Sequence, residues 1–64
     1  MKNGQEDLIF NLENAVGFAT CALNEVRSKD VSKLNDQALS DLISDMNLAM
    51  EHLALARGHA RARQ

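Results

Sequence analysis

The fold is decided by residues 39–60, which read LSDLISDMNLAMEHLALARGHA. Apolar residues in this stretch recur at alternating steps of three and four, a spacing that places them on one stripe of an α-helix. They occupy the a and d positions of a heptad repeat: Leu39, Leu42, Met46, Ala49, Leu53, Ala56 and Ala60. Ile43 and Met50 follow at e positions and widen the stripe. The stretch therefore predicts a long amphipathic helix that packs against another helix.

A second heptad stripe lies earlier in the chain. Its a and d positions are Leu8, Leu12, Ala15, Ala19, Ala22 and Val26, and its e positions are Ile9, Val16 and Leu23. Glu6 and Asp7 stand where negative charge suits the positive end of a helix dipole. We therefore expect a first helix over about 6–28. The three alanines of the stripe predict close approach of the partner helix.

The segment 29–35 has no apolar period and is predicted to be a connection. Asn35 is a favourable N-cap, which places the second helix at about 36–61. Gly58 offers an earlier stop, but Ala60 keeps the period, so we expect the helix to continue. Two helices of similar length with a short loop predict an all-α antiparallel helical hairpin, a single domain over 1–64.

The predicted hairpin has more apolar surface than its two helices cover. A chain of 64 residues has a marginal core, and a single cysteine, Cys21, rules out an intrachain disulfide. We therefore expect a homodimer in which two hairpins form a four-helix bundle. Its predicted interface consists of Leu8, Leu12, Ala15, Val16, Ala19, Leu23, Leu42, Met46, Met50 and Leu53.

A few apolar residues lie outside both stripes. Leu48 and Leu55 occupy c positions, and Phe10 points away from the stripe of its helix, on the side of Gly17 and Cys21. They are scattered surface residues, part of the oligomer interface, or a patch for a protein partner. The predicted partner-binding residues are Phe10, Phe18, Leu48, His52 and Leu55.

No chemical site is predicted. His52 and His59 share a helix face but lie about 10 Å apart along the axis, too far to chelate one metal ion. The sequence contains no phosphate-binding loop and no nucleophile–base arrangement, so we expect no cofactor, no small-molecule substrate and no enzymatic activity. Cys21 is expected to be a small packing residue rather than a reactive thiol.

The chain ends with an arginine cluster, Arg57, Arg61 and Arg63. The cluster is typical of a phosphate-contacting tail, or of cations that suit a helix C-terminus and face the acidic start of the first helix. The net charge of −2 and the acidic first helix favour the second interpretation. In size and layout alone the hairpin resembles the small plasmid-encoded RNA-binding hairpin dimers that control copy number. A nucleic-acid-binding dimer is thus the alternative function.

The sequence predicts a protein-interaction module. Residues 1–7 lack the apolar segment of a secretory signal, and no apolar run approaches the ~18 residues of a membrane span. We therefore expect a cytoplasmic setting without membrane association. The predicted function is that of a small non-enzymatic inhibitor, adaptor or regulator of a larger protein, of the kind encoded by bacteria and phages.

Overall fold

The computed structural model describes residues 2–62, with side chains for residues 4–62. Two helices, α1 (Lys2–Ser28) and α2 (Asp36–Ala62), contain 27 residues each. A 3-10 turn at Val31–Lys33 connects them. The helices pack against each other in a rod of 47 × 15 × 14 Å. The prediction of an all-helical hairpin is therefore confirmed.

The helices are longer at their outer ends than the periodicity indicates. α1 begins at Lys2, whereas the sequence placed its start near Glu6. α2 passes through Gly58 and ends at Ala62. No described glycine has a positive φ, so neither Gly4 nor Gly58 adopts the left-handed conformation that ends many helices.

Local hydrogen bonds fix the connection between the helices. The Asp30 carboxylate accepts from the backbone N–H of Ser32 at 3.1 Å and from its hydroxyl at 3.0 Å. The side-chain oxygen of Asn35 accepts from the backbone N–H of Ala38 at 2.7 Å. The predicted N-cap of α2 is thus confirmed, and the start of this helix is set by one amide side chain.

The contact between α1 and α2 is lined by d positions. The buried apolar residues are Ala15, Ala22, Leu42, Ala49 and Ala56. Because four of these five are alanine, the helices approach closely but bury little side-chain area. None of the described large side chains is fully enclosed. The hairpin core is therefore thin.

The helices are rotated relative to the predicted packing, which placed both a and d positions between them. The d positions do lie there, but their neighbours in the contact are g positions, including the buried Asn11 and the half-buried Phe18 and His52. The a and e positions face outward.

Neither α1 nor α2, as far as they are described, holds a segment long and apolar enough to cross a membrane.

We predict that Asn35→Ala lowers the free energy of unfolding by about 1 kcal/mol, because the N–H of Ala38 loses its acceptor. Urea unfolding followed by circular dichroism measures the change. Asn35→Ser retains a capping oxygen and is the control, expected to unfold close to the original protein. Equal loss in both variants would contradict the assignment of this cap.

Candidate functional site

One long side of the hairpin is apolar and uncovered, and we call it the open face. It consists of the a and e positions of both helices. Its large residues are Ile9, Leu12, Val16, Leu23 and Val26 of α1 and Leu39, Ile43, Met46, Met50 and Leu53 of α2, all of them exposed. Val16 and Met50 are the most exposed, at 64% and 60%. A continuous apolar face of this kind is a candidate interaction surface.

Two grooves run between the helices on the open face. The groove near the chain ends has a volume of about 720 Å³ and is lined by Leu12 of α1 and by Leu53 and Arg57 of α2. The groove nearer the loop has a volume of about 540 Å³, with Leu23 and Met46 in its walls. Because both helices line each groove, α1 and α2 turn their apolar stripes to the same side of the hairpin.

Most residues predicted for the oligomer interface lie on the open face: Leu12, Val16, Ala19, Leu23, Met46, Met50 and Leu53. Leu8 is half-buried at the wall of the terminal groove. Ala15 and Leu42 require a correction, because they are buried between α1 and α2 of one chain. The open face also includes four residues that the predicted interface omitted: Ile9, Val26, Leu39 and Ile43. Their a and e heptad positions could have assigned them to this face from the sequence.

The five residues predicted to bind a partner lie on the opposite side, which we call the aromatic face: Phe10, Phe18, Leu48, His52 and Leu55. The His52 ring stacks on Phe18 with centroids 5.7 Å apart and makes a T-shaped contact with Phe10, with centroids 6.4 Å apart. Leu48 and Leu55 precede and follow His52 by four and three residues, which places them on its side of α2. Phe10 and Leu55 are more than half exposed.

A polar contact missed from the sequence holds His52 in place. The amide nitrogen of Asn11 donates to the backbone oxygen of Asp7 at 2.9 Å, so its oxygen points toward α2. That oxygen lies 2.8 Å from Nδ1 of His52 and accepts the hydrogen of this nitrogen. Asn11 is buried, and no buried side-chain N or O atom of residues 4–62 lacks a partner. In an antiparallel hairpin, counting residues outward from the loop along both helices places Asn11 opposite His52. This count could have indicated the pair from the sequence.

Cys21 differs from its predicted role. It is exposed, and it lines a shallow groove with Gly17 and Phe18 on the aromatic side, so it is not a packing residue of the hairpin core. A Cβ atom added at Gly17 would meet nothing within 4 Å. Close approach of a backbone from this chain therefore does not explain that glycine.

The structure describes two of the three arginines in the C-terminal cluster. Arg57 and Arg61 are exposed, while Arg63 lies outside the described residues. We expected these arginines to face the acidic residues at the start of α1. Neither Arg57 nor Arg61 forms an ion pair with a described side chain there. Among the described side chains the ion pair that forms joins Lys29 and Glu25 at 3.7 Å. Arg57 instead lines the terminal groove of the open face.

Residues 4–62 hold no group of three His, Cys, Asp or Glu side chains arranged to bind a metal ion. Comparisons with protein-family models, with curated proteins and with solved structures find no match to this chain. The two faces are therefore interpreted from their own chemistry.

The contact between Asn11 and His52 is expected to contribute about 1 kcal/mol of coupling energy to folding, because each side chain satisfies the other in a half-buried site. A double-mutant cycle with Asn11→Ala and His52→Ala, measured by urea unfolding, gives this energy. Asn14→Ala is the matched control, since the Asn14 amide bonds only to the backbone of its own helix. Additive effects of the two substitutions would contradict the predicted coupling.

Proposed function

We propose that this chain is a small, non-enzymatic, cytoplasmic interaction module with two working surfaces. A second copy covers its open face, and the two hairpins form a four-helix bundle. The aromatic face of each copy binds a larger protein, and the bundle inhibits, recruits or otherwise regulates that protein. The observation that carries this proposal is the uncovered apolar side of a hairpin whose own core is thin.

The surface area of the chain supports self-association. Its accessible surface of 5042 Å² exceeds by about 900 Å² the ~4,100 Å² that a compact protein of 7.1 kDa is expected to have. A standard protein interface buries about 800 Å² on each partner. Covering the open face would therefore bring the chain to an ordinary surface for its size.

The composition of the two faces favours different kinds of contact. The open face is almost purely apolar, as are the cores of obligate homodimer interfaces. The aromatic face mixes Phe10 and Leu55 with polar groups, among them His52 and the exposed Cys21. Exposed aromatic residues among polar groups are typical of interfaces with a few dominant side chains. The open face is therefore suited to permanent association, and the aromatic face is suited to binding a partner.

Nucleic-acid binding receives less support. Arg57 and Arg61 lie at the end of the hairpin that also carries Glu6 and Asp7. A phosphate backbone near this end would meet carboxylates as well as guanidinium groups. Retardation of RNA or DNA that weakens with salt, and that Arg57→Ala with Arg61→Ala abolishes, would count against the proposed function.

The combined substitution Val16→Glu and Met50→Glu is expected to convert a dimer into monomers, because it places two charges on the most exposed positions of the open face. Sedimentation equilibrium at micromolar concentrations measures the mass. Ser44→Glu, at an exposed position outside both faces, is the control and is expected to stay dimeric. A folded, monomeric original protein at these concentrations would overturn the proposal of self-association.

Leu55→Asp and Phe10→Asp are expected to abolish partner binding while helix content and dimer mass stay unchanged, because both side chains are largely exposed in the hairpin. The immobilised protein is used to capture proteins from a lysate of its host, and bound proteins are identified by mass spectrometry. Asn24→Asp, an exposed amide on α1, is the control. A partner retained by both aspartate variants would show that the aromatic face is not the binding surface.

A further inference from the structure

The charged residues of α1 and α2 are sorted between the sides of the hairpin. On the side of the aromatic face, the described charges at c and g positions are all carboxylates: Asp7, Glu25, Asp41 and Asp45. The described arginines of the helices lie elsewhere, at b and e positions: Arg27, Arg57 and Arg61. A partner that approaches the aromatic face therefore meets apolar side chains and charges of one sign.

Three of these carboxylates line a groove between the helices, which we call the acidic groove: Glu25, Asp41 and Asp45. Its volume is about 220 Å³, and Cys21 lies in its wall. Cys21 also lines the shallow groove that contains Phe18. The acidic groove thus continues the aromatic face toward the loop.

The distance between the aromatic rings and the carboxylates follows from one contact. The bond between Asn11 and His52 places these residues at the same level of the antiparallel helices. Counting from this pair in opposite directions places Phe18 level with Asp45, so the acidic groove begins where the stacked rings end. Along α2, Asp45 and Asp41 lie about 10 and about 16 Å from His52.

The acidic groove keeps most of its negative charge within the hairpin. Glu25 pairs with Lys29 at 3.7 Å, and the Lys29 side chain is 62% exposed. Asp41 accepts a hydrogen bond from the Gln37 amide at 2.9 Å. Among the described side chains, no lysine or arginine forms an ion pair with Asp41 or Asp45. A cation brought by a partner would therefore be attracted to the groove.

Resting on the proposed function, we infer that the aromatic face binds a basic amphipathic helix of the larger protein. Apolar side chains of this helix pack on Phe10, Leu48 and Leu55. Lysine or arginine side chains about two to three turns further along the same helix enter the acidic groove, because a helix rises ~5.4 Å per turn.

A helix suits this surface better than an extended segment does. The backbone groups of α1 and α2 are bonded within each helix, so the face offers no sheet edge on which a strand could add. A partner helix satisfies its own backbone and presents only side chains to the face. Apolar anchors on one stripe of a helix are the usual means of recognition in a groove between helices.

Two synthetic helical peptides of about 20 residues test this chemistry, since this length spans the ~21 Å from Leu55 to Asp41. Both carry leucine along one stripe of their first half. In the second half the same stripe carries lysine in one peptide and glutamate in the other. We expect the lysine peptide to bind and the glutamate peptide to bind at least about tenfold more weakly, as measured by titration calorimetry at low ionic strength.

Asp41→Asn with Asp45→Asn removes two charges from the acidic groove and keeps the shape of the side chains. This variant is expected to raise the dissociation constant of the lysine peptide about tenfold, and high salt is expected to reduce the difference. Thr20→Lys with Ser40→Lys, at exposed b positions, changes the net charge equally and is the matched control. The control is expected to bind the lysine peptide within about twofold of the original protein, because its added charges lie outside the groove and are screened.

The host protein captured through Phe10 and Leu55 provides a second measurement. Weaker binding of this protein to the asparagine variant, at unchanged helix content and dimer mass, supports the inference. A lysine peptide that does not bind, a glutamate peptide that binds equally well, or an unchanged affinity of the captured protein for the asparagine variant overturns it. A change of dimer mass in that variant would show that a second copy covers the groove, and this also overturns the inference.

Failure of the proposed function would be seen separately. If neither Phe10→Asp nor Leu55→Asp weakens capture of the host protein, the aromatic face is not the binding surface, and the function and the inference fail together. If both substitutions abolish capture while the asparagine variant binds normally, the proposed function stands and the basic helix is excluded.

Discussion

The close contact between alanine-lined helices is the constraint on which the rest of this structure depends. Ala15 and Ala22 of α1 lie against a surface of α2 formed by Leu42, Ala49 and Ala56, and these small side chains let the backbones approach. A close approach makes a well-defined contact but removes little apolar area from water. Most large apolar side chains of both helices therefore stay exposed, and ten of them stand together on the open face.

The rotation of the helices about their axes is fixed by polar and aromatic groups rather than by the size of the apolar stripe. A rotation that buried the a positions would separate Asn11 from His52 and remove His52 from the ring of Phe18. One hydrogen bond and one stacked pair thus favour the arrangement with d and g positions inside. Buried polar pairs often act in this way, selecting one packing among several that are similar in hydrophobic burial.

The sequence predicts the parts of the fold that depend on local spacing. The heptad period gives both helices, and Asn35 gives the start of α2 because its cap involves only neighbouring residues. The rotational setting involves Asn11 and His52, 41 positions apart, and a broad stripe is compatible with more than one direction of packing. For this reason the prediction placed Ala15 and Leu42 in the oligomer interface, whereas most of its other members lie on the open face. Dimerisation itself stays a prediction.

The division into two faces has a consequence for how the proposed bundle would engage its targets. When the open faces of two hairpins pack together, their aromatic faces do not lie on one common surface. A single compact partner domain would then not contact both copies at once, and the bundle would be suited to bridging two partner molecules. Bridging raises the effective concentration of the second binding event when the two partners belong to one assembly. A bivalent regulator of this kind acts best on a target that is itself dimeric or repetitive, because each subunit of the bundle then finds its own copy of the binding surface.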